Sequence, residues 1–466
     1  MVMKMMKQSI IEEFDTTLKV EENFDIIKRQ YQNADVTMTI YFIDGFCKDD
    51  IVEKMMEFLL QHAKYKTTCE SFCKAYIPYG EATIESSIKQ METAILSGSL
   101  VLLVDGYQEG IVIDTRTYPT RSMEEPEDDK VLRGSHDGFV ETLILNTALI
   151  RRRVRSPQVR MCYQSIGTVS QTDVVICYMV DKADETLVRD IKGKLASIDV
   201  EALTMAQESL VEAMVDHAWI NPFPKVRFTE RPDVAVSNLL EGKVLVLVDH
   251  SCSVMMLPTT FFEFVQEAQD YYFPPITGSY LRLVRMLVFL LTLFGTPLWY
   301  YFNLHPSYVP DILSFIVITK PQNLPILVQL LLLEVGIDAL KLASLNTPSS
   351  LHSSFSIIGA LILGDYTVKA GWFAPEVILY MAFVSLANFT QTSYELGYAV
   401  KFMRVLLLLW IGCFPTIGLW IGLLFIVSII VTNKTITHMP YFYPLYPFDL
   451  HACKRLFTRE KLKEKE

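Results

Sequence analysis

Hydrophobic and polar positions along this chain change character near residue 280. Beyond that point uncharged apolar runs dominate, at Met286–Leu304, Pro321–Leu333, Val377–Tyr394 and Val405–Asn433. About 20 apolar residues cross a bilayer as helix, so the first, third and fourth runs predict membrane spans. The second continues into Glu334, Asp338 and Lys341. A further uncharged stretch, Phe355–Gly364, gives only about 15 Å of helix against ~30 Å of hydrocarbon. It predicts a short or re-entrant helix. The expected unit over 281–440 is a multi-span helical bundle of four spans plus that short helix, or of five spans.

Before residue 280 the pattern is that of a soluble protein. Leu96–Gly106, "LSGSLVLLVDG", is echoed 144 residues later by "LEGKVLVLVDH" at Leu240–His250. Ile40–Phe46, "IYFIDGF", is echoed by "ICYMVDKA" at Ile176–Ala183. Each copy reads as an apolar, β-branched run ending at Asp, a helical stretch and a second buried strand. The expected fold class is therefore α/β plus an α-helical membrane domain, with two repeated small α/β subdomains forming a cytosolic head. We expect a helical extension at 1–36, a first subdomain at 37–160, a second at 161–280 and a basic tail at 441–466. Gly138–Arg155, with Phe139, Leu143, Ile144, Thr147, Ile150 and Val154 on one face, predicts a helix packed between the copies. Another helix is expected from about Asp199 to Trp219, ended by Asn221-Pro-Phe-Pro224.

Charge divides the chain the same way. From Leu281 onward 14 Lys and Arg stand against 10 Asp and Glu, so within a net charge of −11 the first 280 residues carry −15. A head this acidic excludes nucleic acid as a partner. Acids from Glu12 onward break any signal-peptide core, which places the head on the cytosolic side. Arg282, Arg285, Lys401 and Arg404, with the tail's Lys454 and Arg455, serve as markers of that side.

Catalytic chemistry is not expected. Phosphate-loop, HExxH and GxSxG patterns are missing, and eight scattered cysteines, with Cys69 and Cys73 the one close pair, lack zinc spacing. No metal or cofactor is implied. His136, Asp137 and the strand-end Asp105 and Asp249 are the tempting acid and base groups, and an Asp at a strand end commonly caps its own turn.

Ionisable residues inside apolar helices are the stronger functional candidates, because insertion costs about 2.5 to 3.5 kcal/mol for each in lipid. Glu334, Asp338 and Lys341 share one helix face, expected to line an inner or inter-subunit surface. Asp365 and Lys369 can pair four residues apart, and Glu376 follows Pro375 at a helix start. Ile358, Leu361, Ile362 and Asp365 share a face that could form an apolar constriction beside a carboxylate ring, a pore lining in a symmetric assembly. Packing within one subunit explains the same residues equally well. Arg151, Arg152, Arg153 and Arg155 exceed what capping requires and suggest docking to an acidic partner or to lipid headgroups. Glu230 and Arg231 suit a buried or interface salt bridge.

Two blocks, "RGSHDGFVETLILNTALIRRRVRSP" at Arg133–Pro157 and "NPFPKVRFTERPDVAVSNLLEGKVLVLVD" at Asn221–Asp249, resemble the signatures of the bacterial spore germination receptor A-subunit family. The likeness continues through "LPTTFFEFVQEAQDYY", "SYLRLVR", "TPSSL", "FAPEVILY" and "TSYELGYA", with "TERPDVA" and "SYEL" resembling its stage V sporulation protein AF branch. The resemblance implies a multi-pass protein of the spore inner membrane, homo-oligomeric and expected to be pentameric. It also implies a second membrane subunit as partner and a role in monovalent cation conduction. A non-conducting sporulation scaffold and a secondary transporter are the alternatives.

Overall fold

The computed structural model describes residues 2–77, 81–116, 131, 134–215, 221–267, 269–320, 323–346, 367–391, 393–433, 435–436 and 439–457. They form two compact units, Met1–Asp216 with Val226–Thr259, and His217–Lys225 with Thr260–Glu466.

In the first unit, α1 (Val2–Leu18) leads into β1 (Ile26–Gln32) and β2 (Thr37–Ile43). Then come α2 (Asp49–His62), α3 (Cys69–Tyr76), β3 (Ala82–Glu85), α4 (Ile88–Leu96), β4 (Leu100–Val104) and β5 (Gly110–Ile113). Helix α5 (Leu143–Arg153) precedes a second set: β6 (Val159–Ile166), β7 (Thr172–Met179), α6 (Glu185–Ala196), α7 (Ala206–Met214), β8 (Arg227–Thr229), α8 (Pro232–Leu240), β9 (Val244–Val248) and β10 (Val254–Leu257).

The two sheets have one topology. Their orders are β1-β2-β4-β5-β3 and β6-β7-β9-β10-β8, and every neighbouring pair is antiparallel. Register repeats as well. Leu102 faces Ile40 and Ile111, and Val246, 144 residues on, faces Ile176 and Met255. Strand β4 is an unbroken apolar run because both its faces are covered. Leu100, Leu102 and Val104 pack with residues of α2 and α3, while Val101 and Leu103 pack with residues of α1, α4 and Ala148 of α5.

Several expectations change. Residues 1–36 are not a helical extension throughout, since Ile26–Gln32 is an edge strand of the first sheet. The second set starts at Val159 rather than at 161. The packing helix begins at Leu143, and the helix expected from Asp199 begins only at Ala206, residues 216–219 of that expectation lying outside the described residues. Asp249 does not cap its own turn. Its Oδ1 accepts from the Leu143 amide at 3.1 Å and so caps α5, a partner 106 residues away.

The second unit contains α9 (Gln269–Tyr272), α10 (Pro275–Leu304), α11 (Ile326–Leu345), the short α12 (Thr367–Lys369), α13 (Pro375–Asn388), α14 (Tyr394–Cys413), α15 (Gly418–Thr432) and α16 (Leu450–Phe457). Helices α10 and α14 are long and apolar enough to cross a membrane. Helices α13 and α15 have 14 and 15 residues, about 21 to 22 Å each. The expected span Val377–Tyr394 ends at Asn388, and Tyr394 opens the next helix.

Val405–Asn433, read as one span, is instead the end of α14, a turn, and α15. Pro415 interrupts the amide ladder there. Glycines then let the two helices meet: a Cβ on Gly418 would stand 2.1 Å from the Trp410 carbonyl oxygen, and one on Gly422 would stand 2.4 Å from Leu407 Cδ1. Phe289 and Leu293 of α10 share a core with Leu330, Val377, Met403, Leu407 and Ile426.

Candidate functional site

The helical unit holds a buried ionic node. Arg404 on α14 grips Glu334 on α11 with both arms, Nε to Oε1 at 2.7 Å and Nη2 to Oε2 at 3.0 Å. Its remaining Nη1 donates to the Thr292 carbonyl of α10 at 3.0 Å. Lys401, one turn earlier on α14, reaches the Glu334 carbonyl at 3.0 Å, the Glu334 carboxylate at 3.4 Å and Asp338 Oδ2. Glu334 and Arg404 are 4% and 3% exposed. The planar guanidinium matches a carboxylate bidentately, a geometry that offsets desolvation better than a single contact does. Three helices are thereby tied at one level.

Lys341 completes that face of α11. Its ammonium lies 4.9 Å from the centre of the Phe389 ring, just past the end of α13. Sequence spacing brought Glu334, Asp338 and Lys341 together, but it missed their partners. Lys401 and Arg404, which the sequence offers as markers of membrane side, are those partners, and the available signal is that two cations stand three residues apart in another apolar helix.

Arg282 and Arg285 on α10 have a similar internal task. Arg285 meets Asp270 through Nη1 at 2.9 Å and Nη2 at 3.2 Å, Glu267 at 2.6 Å and the Val265 carbonyl at 3.1 Å. Arg282 Nε lies 3.3 Å from Asp270, which is fully buried. The start of α10 is thus bound to the segment preceding it.

The other candidates are dispersed. Lys369 is exposed at the end of α12, and Glu376 is half-buried in the first turn of α13, after Pro375. Ile358, Leu361, Ile362 and Asp365 lie outside the described residues. In the first unit the basic end of α5 separates by role. Arg151 is fully buried and Arg153 pairs with Asp137 at 2.5 Å, whereas Arg152 and Arg155 are exposed.

Arg231, at the N-cap of α8, is also fully buried. Its carboxylate partner is Asp233, at 3.1 and 2.7 Å, and its Nη2 also donates to the Ser135 carbonyl at 2.9 Å. The Glu230 carboxylate lies 3.7 Å from Cys252 Sγ, and its backbone carbonyl accepts from Phe139.

The buried thiols Cys177 and Cys69 are poor nucleophiles. Burial pushes Cys177 up to about 12 and Cys69 up to about 12. Desolvation of the thiolate is the cause. No group of three or more His, Cys, Asp or Glu suited to a metal occurs among the described residues.

A duplicated α+β unit, its two sheets antiparallel throughout and so not the α/β class expected, joined in sequence to an apolar helical unit with paired charges inside it, is the class these features define. The chain belongs to the GerA family of spore germination proteins, because the family model described as "Bacillus/Clostridium GerA spore germination protein" matches residues 13–466. It is 35% identical to stage V sporulation protein AF of Bacillus subtilis (strain 168) over 454 residues, covering 96% of this chain and 91% of that one. Spore germination protein A1 of the same organism is 26% identical over 451 residues, with 96% and 92% covered. Among solved structures, the N-terminal domain of the A subunit of the Bacillus megaterium spore germinant receptor GerK3 is similar. The TM-score is 0.41 at 21% identity, covering 54% of this chain and 94% of that one.

Proposed function

We propose that the chain is a membrane subunit of a spore germination receptor or ion-conducting complex. In this reading it forms a homo-oligomer, a pentamer, with a second membrane subunit, and passes monovalent cations across the spore inner membrane. The α+β unit stays in the cytosol. Family membership supports the setting, since the family model that matches residues 13–466 is one of spore germination proteins.

The observation that carries the reading is the apolar surface of the helical unit. Besides α10 and α14, the two helices of spanning length among the described residues, it exposes large side chains such as Trp420 at 68% and Leu424 at 74% on α15. Lipid or neighbouring subunits must cover such a surface. The ion path is assigned to Ile358, Leu361, Ile362 and Asp365 on sequence grounds. Docking to acidic groups or lipid is assigned to the exposed Arg152 and Arg155.

A non-conducting scaffold is the second reading, favoured for α11 by the internal pairing of Glu334 and Asp338. Potassium flux from liposomes carrying the purified chain, with and without a partner subunit, separates the two. Conduction is expected, with more leak for Ile362→Ala and lower cation preference for Asp365→Asn. Oligomers that assemble normally and pass no ions establish the scaffold.

A further inference from the structure

Polar groups in the helical unit succeed one another along neighbouring turns of α13, α14, α11 and α10, and several of their atoms have no hydrogen-bond partner. At one end are Asn388, the last residue of α13, and Gln391 just after it, whose amide donates to the Asn388 carbonyl at 3.3 Å. Asn388 Oδ1 lies 3.0 Å from where a Cβ on Gly397 would stand, so it faces the first turn of α14. One turn on is Lys401 with Asp338, and three residues further Arg404 with Glu334. Arg404 then reaches the Thr292 carbonyl, and Thr296 follows one turn later on α10. Seven residues of α14 and four of α10 give a length of roughly 16 Å.

The unpaired atoms concentrate on this line. Among the described residues, eight side-chain nitrogens and oxygens are shielded from solvent without a hydrogen-bond partner. Five belong here: Gln391 Nε2 and Oε1, Asn388 Oδ1, Asp338 Oδ1 and Thr296 Oγ1. A shielded polar atom left dry costs roughly 1 to 3 kcal/mol, and more when charged. Such groups are ordinarily satisfied by internal water, which needs two to four polar partners.

We propose that this line is a site for a file of water molecules within a single copy of the chain, running from Gln391 to Thr296, and that it excludes cations. Exclusion follows from the fixed charges. Glu334 and Asp338 are matched by Lys401 and Arg404, and Lys341, against the Phe389 ring next to Asn388, adds one further positive charge at the Gln391 end. A passing cation meets net repulsion in a low-dielectric surrounding. The file is separate from the proposed cation path and does not depend on it.

The test uses the full chain in liposomes, thiol-modifying methanethiosulfonates and site-resolved mass spectrometry, which distinguishes the native cysteines. Gln391→Cys, Asn388→Cys and Thr296→Cys are expected to react with the small neutral methyl reagent. Leu330→Cys, in the apolar core, stays inert. Moving from Gln391→Cys to Thr296→Cys, the trimethylammonium reagent should lose at least about tenfold relative to the neutral one, the effect of one uncompensated charge.

Inertness of both Asn388→Cys and Thr296→Cys toward the neutral reagent overturns the file. An undiminished cationic reagent at Thr296→Cys overturns the exclusion. Thr296→Val supplies an independent reading, because deleting a dry, unpaired hydroxyl raises Tm, whereas deleting one bound to water leaves Tm unchanged or lower. A higher Tm overturns the proposal even if a cysteine variant fails to fold.

Discussion

Arg151 and Asp25 form an ion pair sealed from solvent, Nε to Oδ2 at 2.8 Å and Nη2 to Oδ1 at 3.1 Å, between residues 126 apart in sequence. The same guanidinium donates to Asn23 Oδ1 at 2.9 Å and to the Val159 carbonyl at 3.2 Å. Asn23 Oδ1 in turn accepts from the Met161 amide at 2.9 Å. One side chain therefore joins the segment leading into the first sheet to the first strand of the second. The two copies are fastened at this point.

Removing Arg151 leaves Asp25 buried and uncompensated, which typically costs 3 to 5 kcal/mol, about that much being expected here for Arg151→Ala. The double variant Arg151→Met with Asp25→Leu should recover a large part of it. Thermal unfolding of the full chain checks this, together with proteolysis at the segment around residues 19–25. A single variant that melts like the parent disproves the fastening role.

Equivalent glycines offer a test of the duplication. Gly98 follows α4 and Gly242 follows α8, and both have φ of +97°. A side chain is strained in that region. The surroundings differ: a Cβ at Gly242 would stand 2.7 Å from the Lys182 carbonyl oxygen, whereas at Gly98 it would meet side-chain atoms of Arg116 and Phe46 at 3.2 Å. Both Ala variants should lower stability by about 1 kcal/mol or more from the backbone alone, with Gly242→Ala the worse. Equal melting of Gly98→Ala and the parent argues against the shared turn.

The duplication was legible because β4 and β9 are buried on both faces, which leaves uninterrupted apolar runs that repeat visibly. The outer strands were not. Ile26–Gln32 buries mainly Ile26 and carries Lys28, Arg29, Gln30 and Gln32 outward, so its pattern is that of a polar loop. Long-range partners were illegible too. Nothing local to Asp25 names Arg151, and nothing local to Glu334 names Arg404, since both pairings depend on how helices and strands assemble. Conversely, the face shared by Glu334, Asp338 and Lys341 followed from helical period alone.

Acid should weaken the first unit through Asp137. Burial raises its pKa, but hydrogen bonds from Arg153 and Ser135 outweigh that and hold it below the usual carboxylate value. A depressed folded pKa means the stabilisation is complete above the unfolded value, near 3.9, and is lost as pH falls through the folded one. Asp137→Asn should therefore lower Tm at pH 7, with the gap to the parent closing below about pH 4. Melting curves of both proteins across that range decide it, and a gap that widens in acid contradicts the sign.

The Glu334–Arg404 pair makes the sharpest distinction between packing and ion passage on α11. If it is a fastening, Arg404→Met removes the two-armed partner of a buried carboxylate, leaving it only Lys401 at 3.4 Å, and should cost up to about 3 to 5 kcal/mol. Arg404→Lys keeps the charge but not the two-armed geometry or the contact to Thr292, so an intermediate loss is expected. Glu334→Gln with Arg404→Met removes both charges and should recover much of the stability, because an apolar bundle does not need the pair once neither half is left alone. Ion flux through the assembled protein should change no more than its assembly does. A well-folded double variant with normal assembly and an altered potassium conductance would place Glu334 on the ion path and refute its assignment to packing.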